Sequence, residues 1–281
     1  MQVFEHASRA TKGARSYQED TALFWSGQAA PQPSSAEANG SAAVVAVLAD
    51  GMGGHAGGAL ASRMACESFI KAYATQHGST QDRLMESLEA ANKSIADTVS
   101  TNPMLAGMGS TLVGVTFGAE GIEWVSVGDS PLMLYRRGEI ALLNDDHSLA
   151  PELDRLAAMG AITEDEARRD PRRHMLRSAV TGDEIDLIDL SARPLKIEPG
   201  DYIILASDGL QTLESAEIQR IVAAYADDGA VAVANALIRA VEAIKDPHQD
   251  NATVIAVRLA PQPARETAAV ETTQGGRGSD R

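Results

Sequence analysis

Residues 44–62 read VVAVLADGMGGHAGGALAS, and the rest of the chain is organised around them. Val44, Val45, Ala46, Val47, Leu48 and Ala49 carry no charge, the pattern of a strand buried on both faces. Asp50 follows at once, and Gly51, Gly53, Gly54, Gly57 and Gly58 crowd the next eight positions. Glycine lets backbone adopt positive φ and approach a ligand closely. A helix is expected from about Ala59. One carboxylate thus stands at the rim of a sheet, on backbone that can present carbonyls of its own. That construction suits a hard, oxygen-seeking cation. A tight strand-to-helix turn with Asp as its cap fits the same residues.

Upstream, Arg15-Ser-Tyr-Gln-Glu19-Asp20 leads into an apolar run at residues 22–25. Adjacent carboxylates on extended backbone point to opposite faces, so one can meet a ligand while the other supports it. A solvated acidic turn is the plainer reading of that pair. Residues 26–41, rich in Pro, Ser, Ala and Gly, read as a mobile hairpin loop.

Downstream, helical stripes run through Leu60, Met64, Ala65, Phe69, Ala72 and Tyr73, then through Leu84, Leu88, Ala91, Ile95 and Val99. After Pro103 the period becomes that of strands, at 112–117, 122–127, 132–135 and 139–143. Tight meanders of this kind make an antiparallel sheet. Further strands are expected at 186–190, 202–206 and 253–257, with helices at 215–225 and 230–244. Residues 261–281 show no apolar periodicity and read as a disordered tail, leaving 1–260 as the domain.

Residues 146–181 interrupt the strands with two short helical pieces. Arg168, Arg169, Arg172, Arg173 and Arg177 make this the one basic patch of a chain with formal net charge −15. Such an insertion suggests a flap that meets an anionic substrate, with His174 available to touch it. Ordinary pairing with Glu164, Asp165, Glu166 and Asp170 is the alternative. The acidic surface repels nucleic acid and anionic lipid. A single cysteine, Cys66, excludes an internal disulfide and a Cys-based zinc site. No apolar run reaches transmembrane length and no signal-peptide pattern opens the chain, so the expected setting is cytoplasmic, off the membrane.

Asp50, Asp129, Asp208 and Asp250 each adjoin an apolar strand, three of them beside a glycine. If those strand ends converge, the carboxylates raise one another's pKa and need divalent cations. Oxygen-only ligands favour Mg²⁺ or Mn²⁺ over Zn²⁺. Two hard metals bridged by an Asp suit phosphoester hydrolysis by an activated water.

The set Arg15…Glu19-Asp20, Asp50-Gly-Met-Gly-Gly-His55, Gly109-Ser-Thr111, Gly128-Asp129-Ser130, Asp146-His-Ser-Leu149, Ser207-Asp-Gly209 and Asp250-Asn251 resembles, in order, the PPM-type metal-dependent protein serine/threonine phosphatases. These form the protein phosphatase 2C family, here in its compact bacterial form. The resemblance implies an α+β fold, an α-β-β-α sandwich of two antiparallel sheets flanked by helix pairs. It implies that Asp50 bridges two ions, that the Gly51 carbonyl binds one of them, and that Asp208 and Asp250 complete one site. Glu19 and Asp20 would serve the other, and Arg15 would clamp the phosphate. Asp129 would hold a third, weaker Mn²⁺ or Mg²⁺, Asn251 would orient Asp250 or a metal-bound water, and His55 is the candidate acid. Gln18, Met52 and Pro131 depart from the family pattern.

The implied activity is removal of phosphate from Ser and Thr of proteins by a monomeric enzyme, opposing a bacterial Ser/Thr kinase. A phosphatase dedicated to one partner and a catalytically dead binding module are the alternatives; the retained carboxylates argue against the second.

Overall fold

The computed structural model describes residues 4–27, 32–33, 45–53 and 56–259. Two antiparallel sheets face each other. The first contains β1 (Phe4–Thr11), β9 (Leu132–Arg136), β10 (Glu139–Leu142), β12 (Tyr202–Ala206) and β13 (Ala252–Leu259), in the order β1-β13-β12-β9-β10. The second contains β2 (Thr21–Trp25), β3 (Gln32–Pro33), β4 (Val45–Ala49), β7 (Leu112–Phe117), β8 (Ile122–Val127) and β11 (Asp189–Leu190), in the order β11-β8-β7-β4-β2-β3. A short ribbon of β5 (Gly51–Met52) with β6 (Gly109–Ser110) stands apart.

Period-two alternation explains the layers. In β4, Ala46 and Leu48 face the core between the sheets, whereas Val45, Val47 and Ala49 face outward to helices. In β12, Ile203 and Leu205 point between the sheets and Tyr202, Ile204 and Ala206 point out. Both strands are therefore apolar at every position. Helices α1 (Ala56–Thr75) and α2 (Thr80–Thr101) cover the second sheet through Phe69, Ile70, Leu84, Leu88 and Ile95. Helices α5 (Ser215–Tyr225) and α6 (Ala230–Ile244) cover the first through Ile218, Val222, Val233, Leu237 and Val241. Each such buried branched or aromatic side chain contributes about 1.5–3 kcal/mol. Gly114 of β7 makes room for Phe69: a Cβ there would lie 2.4 Å from the ring. This is the expected α-β-β-α sandwich.

Three expectations change. The meander does not stay in one sheet, because the chain crosses from β8 to β9 through the turn that carries Asp129. The strand expected at 186–190 shrinks to β11. The first glycine-rich helix begins at Ala56, earlier than Ala59. The insertion carries α3 (Ala150–Ala158) and α4 (Glu164–Arg169), the latter opened by a Thr163–Glu166 capping box. Most of the loop expected at 26–41, and all of the tail 261–281, lie outside the described residues. No helix among the described residues is long and apolar enough to cross a membrane.

Candidate metal centre

Antiparallel pairing gathers alternate strand ends. Thr21 opposite Ala49, Leu48 opposite Val113 and Leu112 opposite Val127 bring Asp20, Asp50, Thr111 and Asp129 to one end of the second sheet. Thr11 opposite Ala252 and Ala206 opposite Val254 bring Arg15, Asp208 and Asp250 to one end of the first. The two ends meet around a cleft of about 740 Å³. Arg15, Glu19, Asp50, Gly51, Asp129, His174, Asp208, Asp250 and Asn251 all line it. Asp20 lies beneath, buried, with Oδ2 accepting a hydrogen bond from Ser207 Oγ at 2.8 Å. The adjacent pair therefore splits as the extended backbone requires, Glu19 toward the cleft and Asp20 toward the sheet. His55 lies outside the described residues.

The backbone around these carboxylates is tightly fixed. The Asp50 N–H donates to Thr111 Oγ1 (2.9 Å), and the Asp50 carbonyl accepts from Thr111 N (2.9 Å) and Ser110 Oγ (2.8 Å). Gly51 N donates to the Glu19 carbonyl at 3.2 Å. A Cβ on Gly51 would sit 2.1 Å from the Gly58 carbonyl oxygen, so only glycine allows the start of α1 to close over this corner. Likewise a Cβ on Gly209 would collide with the Asn251 carbonyl oxygen. These glycines are set by close approach rather than by positive φ.

Asn251 does more than the sequence suggests. Its Oδ1 accepts from Glu19 N (2.7 Å), while its Nδ2 donates to the carbonyls of Lys12 (3.0 Å) and Tyr17 (2.9 Å). Its side chain thus orients the Glu19 segment, and Asp250 is held instead by the Asn251 backbone N–H at 2.7 Å. Gln18 accepts from Asp20 N at 3.2 Å, so the departure from the family pattern still supports the carboxylates.

The electrostatics are those of a concentrated negative site. Burial, followed by the charge of Asp20, holds the Asp50 carboxyl well above its ordinary range. Burial pushes Asp20 up to about 6 and Asp129 up to about 7, with Asp208 adding repulsion to each. Asp208 is raised by burial and then by Asp250. Oxygens Glu19 Oε1, Asp20 Oδ1 and Asp208 Oδ1 are buried with no hydrogen-bond partner. Buried acceptors of this kind are normally satisfied, so a ligand is called for. All the donors are hard oxygens, which fit Mg²⁺ or Mn²⁺. Among the described residues no three acidic, histidine or cysteine side chains form a closed ligand set by themselves. Mg²⁺ does not require one, since it binds through one or two carboxylates with water and substrate oxygens completing the shell.

Arg15 reaches the same ring, with Nη2 2.5 Å from Asp250 Oδ2. For the flap arginines the structure favours ordinary charge pairing, the alternative reading of the sequence. Arg168 pairs with Glu164, Arg169 with Asp165, Arg172 with Asp170 and Arg173 with Asp154, all within the insertion. Of the five arginines only Arg177 lines the cleft. Sequence reasoning quoted Thr111 and Ser207 within motifs but gave their hydroxyls no role, and it passed over Ser62 on α1; all three tie the elements around the cleft together. A hydroxyl's hydrogen-bond partner carries no sequence pattern, so their supporting role was not readable.

A family model described as Protein phosphatase 2C matches residues 34–242. A protein phosphatase 2C-type protein of Streptococcus pyogenes is 35% identical over 173 residues, 60% of this chain and 68% of that protein. The serine/threonine protein phosphatase PstP of Mycobacterium tuberculosis is 35% identical over 164 residues, 58% of this chain and 31% of PstP, so the match spans about a third of that longer relative. The solved catalytic domain of PstP in complex with two manganese ions superposes with a TM-score of 0.71 at 26% identity, covering 93% of this chain and 100% of that one.

Proposed function

Because the chain belongs to the protein phosphatase 2C family, we propose that its cleft is the catalytic site, with Glu19, Asp20, Asp50, the Gly51 carbonyl, Asp208 and Asp250 holding two divalent cations. The enzyme is a metal-dependent protein serine/threonine phosphatase, and its reaction is hydrolysis of phosphoserine and phosphothreonine. The observation that carries the site assignment is the convergence of these carboxylates on one cleft, with three buried oxygens lacking any partner.

Mn²⁺ or Mg²⁺ bound there supplies Lewis acidity at the phosphoryl oxygens and lowers the pKa of water for attack on phosphorus. The protein's own part is to hold the ring in place. Asp50 projects from the rigid end of β4, fixed by Thr111, so the ring does not collapse outward under its own repulsion. Arg15, half exposed at the cleft mouth, grips the phosphoryl oxygens with its planar fork. The Arg15–Asp250 pair is open to solvent and costs little to exchange for a phosphate. Asp129 holds a third, weaker ion at the base of the flap, and Arg177 and His174 face the substrate from the flap's inner edge. The physiological role is to reverse a cognate Ser/Thr kinase. Release of p-nitrophenol from p-nitrophenyl phosphate and of phosphate from phosphothreonine peptides, dependent on Mn²⁺ and abolished by EDTA, tests this reading. Metal-loaded protein that turns over neither substrate would overturn it.

A further inference from the structure

The turn that carries Asp129 is held by a residue not yet given a role. Gly128 has a φ of +104°, and a Cβ there would lie 2.6 Å from Thr111 Cγ2, so that side of the turn is closed. On the other side stands His147, buried. Its Nδ1 accepts a hydrogen bond from Gly128 N at 3.2 Å, and its backbone N–H donates to the Gly128 carbonyl at 3.1 Å. One residue therefore holds Gly128 by both its N–H and its carbonyl.

The same residue also anchors the flap. The His147 carbonyl accepts from Arg177 N at 2.8 Å. Ser148 bridges Leu176 in antiparallel fashion, and Leu149 N donates to the Met175 carbonyl at 3.1 Å. Residues 174–178, which bring His174 and Arg177 to the cleft, thus run in register with residues 147–149. Accepting at Nδ1 requires the imidazole proton on Nε2. Burial, outweighing the nearby Asp145, Asp189 and Asp146 and aided by Arg177, keeps the ring neutral.

We propose that His147 is a positioning residue for the phosphatase reaction: its Nδ1 fixes the Gly128–Asp129 turn, and its backbone sets the flap's inner edge against that turn. Asp129 and Arg177 then keep one geometry toward the phosphoryl group. This rests on the role proposed above for Asp129.

Three substitutions in the full chain test it. His147→Leu keeps bulk but removes the acceptor. His147→Asn restores an acceptor two bonds beyond Cβ, where Nδ1 sits. His147→Gln places its oxygen one bond too far. In His147→Leu the Gly128 amide, followed by NMR in EDTA, should exchange about tenfold faster. Titration calorimetry with Mn²⁺ should show two tight ions unchanged and the weaker step reduced, with kcat on p-nitrophenyl phosphate down about 10–100-fold and KM nearly constant. His147→Asn should recover both exchange and kcat, and His147→Gln should not.

Wild-type behaviour of His147→Leu, or equal impairment of Leu, Asn and Gln, would overturn the proposal and leave a packing role. Should His147→Leu fail to fold by circular dichroism, the Asn and Gln pair decides by the same readouts. A wild type with no weaker Mn²⁺ step would refute the third-ion reading of Asp129 instead, and the exchange measurement would still judge His147.

Discussion

Replacing Asp129 by Asn should stabilise the metal-free protein while impairing the enzyme. Burial and the nearby Asp208 and Asp146 raise this carboxyl from 3.8 to about 7. Its folded pKa lies above its unfolded one, so the folded protein holds the proton more tightly. The ionised side chain therefore opposes folding. That opposition is absent below pH 4, grows from pH 4 to 7 and is complete above pH 7. At about 1.4 kcal/mol per pKa unit the full effect is on the order of 4 kcal/mol. Water entering the cleft trims it, and about 2–4 kcal/mol should remain, or roughly 4–8 °C in melting temperature for a domain of this size.

Asn keeps the shape and removes the charge. In EDTA at pH 8, Asp129→Asn should melt above wild type by that margin, and at pH 4.5 the gap should shrink to about 1 kcal/mol. Saturating Mn²⁺ should narrow the gap by neutralising the wild-type carboxylate, and turnover of Asp129→Asn should fall. A side chain that merely capped the Gly128 turn would behave oppositely, since its loss would cost about 1 kcal/mol at either pH. An Asp129→Asn protein no more stable than wild type at pH 8 in EDTA would refute the reasoning.

Other expectations concern single residues. Asp208→Asn should lose turnover by orders of magnitude with its fold intact, and near-wild-type kcat at saturating Mn²⁺ would contradict its place in the centre. Arg15→Ala should raise KM and lower kcat together, because the fork grips phosphoryl oxygens in ground and transition states alike. Arg15→Lys should recover only part of that loss, and full recovery in steady-state assays would mean that bulk charge suffices. Asn251→Ala strips partners from Glu19 N and from the Lys12 and Tyr17 carbonyls. At about 1 kcal/mol for each lost hydrogen bond, urea unfolding should register a loss of about 2–4 kcal/mol.

The layers were legible because both faces of the central strands are buried. Val45 to Ala49 and Tyr202 to Ala206 are uninterrupted apolar runs, and such runs have few alternatives. Helices α5 and α6 were readable to the residue from their stripes. Strand β1 was not, since FEHASRAT mixes His6, Ser8 and Arg9 into a strand whose partner lies at the far end of the sequence. The change of sheet between β8 and β9 was equally hidden, because a turn of Gly, Asp, Ser and Pro looks the same whether the chain folds back or crosses over. The carboxylates were legible as strand-end Asp residues. Their supports were not, because a hydroxyl such as Ser207 gains meaning only when Asp20, far away in sequence, is folded against it. The flap arginines had two readings for a related reason: composition counts charges, and only the structure shows that four of the five have partners.

The centre is also a seam. Asp20, Asp50 and Asp129 belong to one sheet, and Asp208 and Asp250 to the other. The sheets are pressed together by Leu48, Val113, Leu132, Ile203, Leu205 and Ile255, while their carboxylate ends repel across the cleft. Few direct bonds cross that end: Ser207 to Asp20, Asn251 to the Glu19 segment, and Gln211 to the Asp129 carbonyl. Cations held at the seam, as proposed, would do two things at once. They would supply the chemistry and would replace repulsion between the sheets with attraction, which would make metal affinity and the stability of the sandwich a single linked equilibrium. Neutralising a carboxylate should for that reason raise the stability of the metal-free protein while reducing what Mn²⁺ can add. The size of the Mn²⁺-induced rise in melting temperature then measures how much of the seam each carboxylate holds.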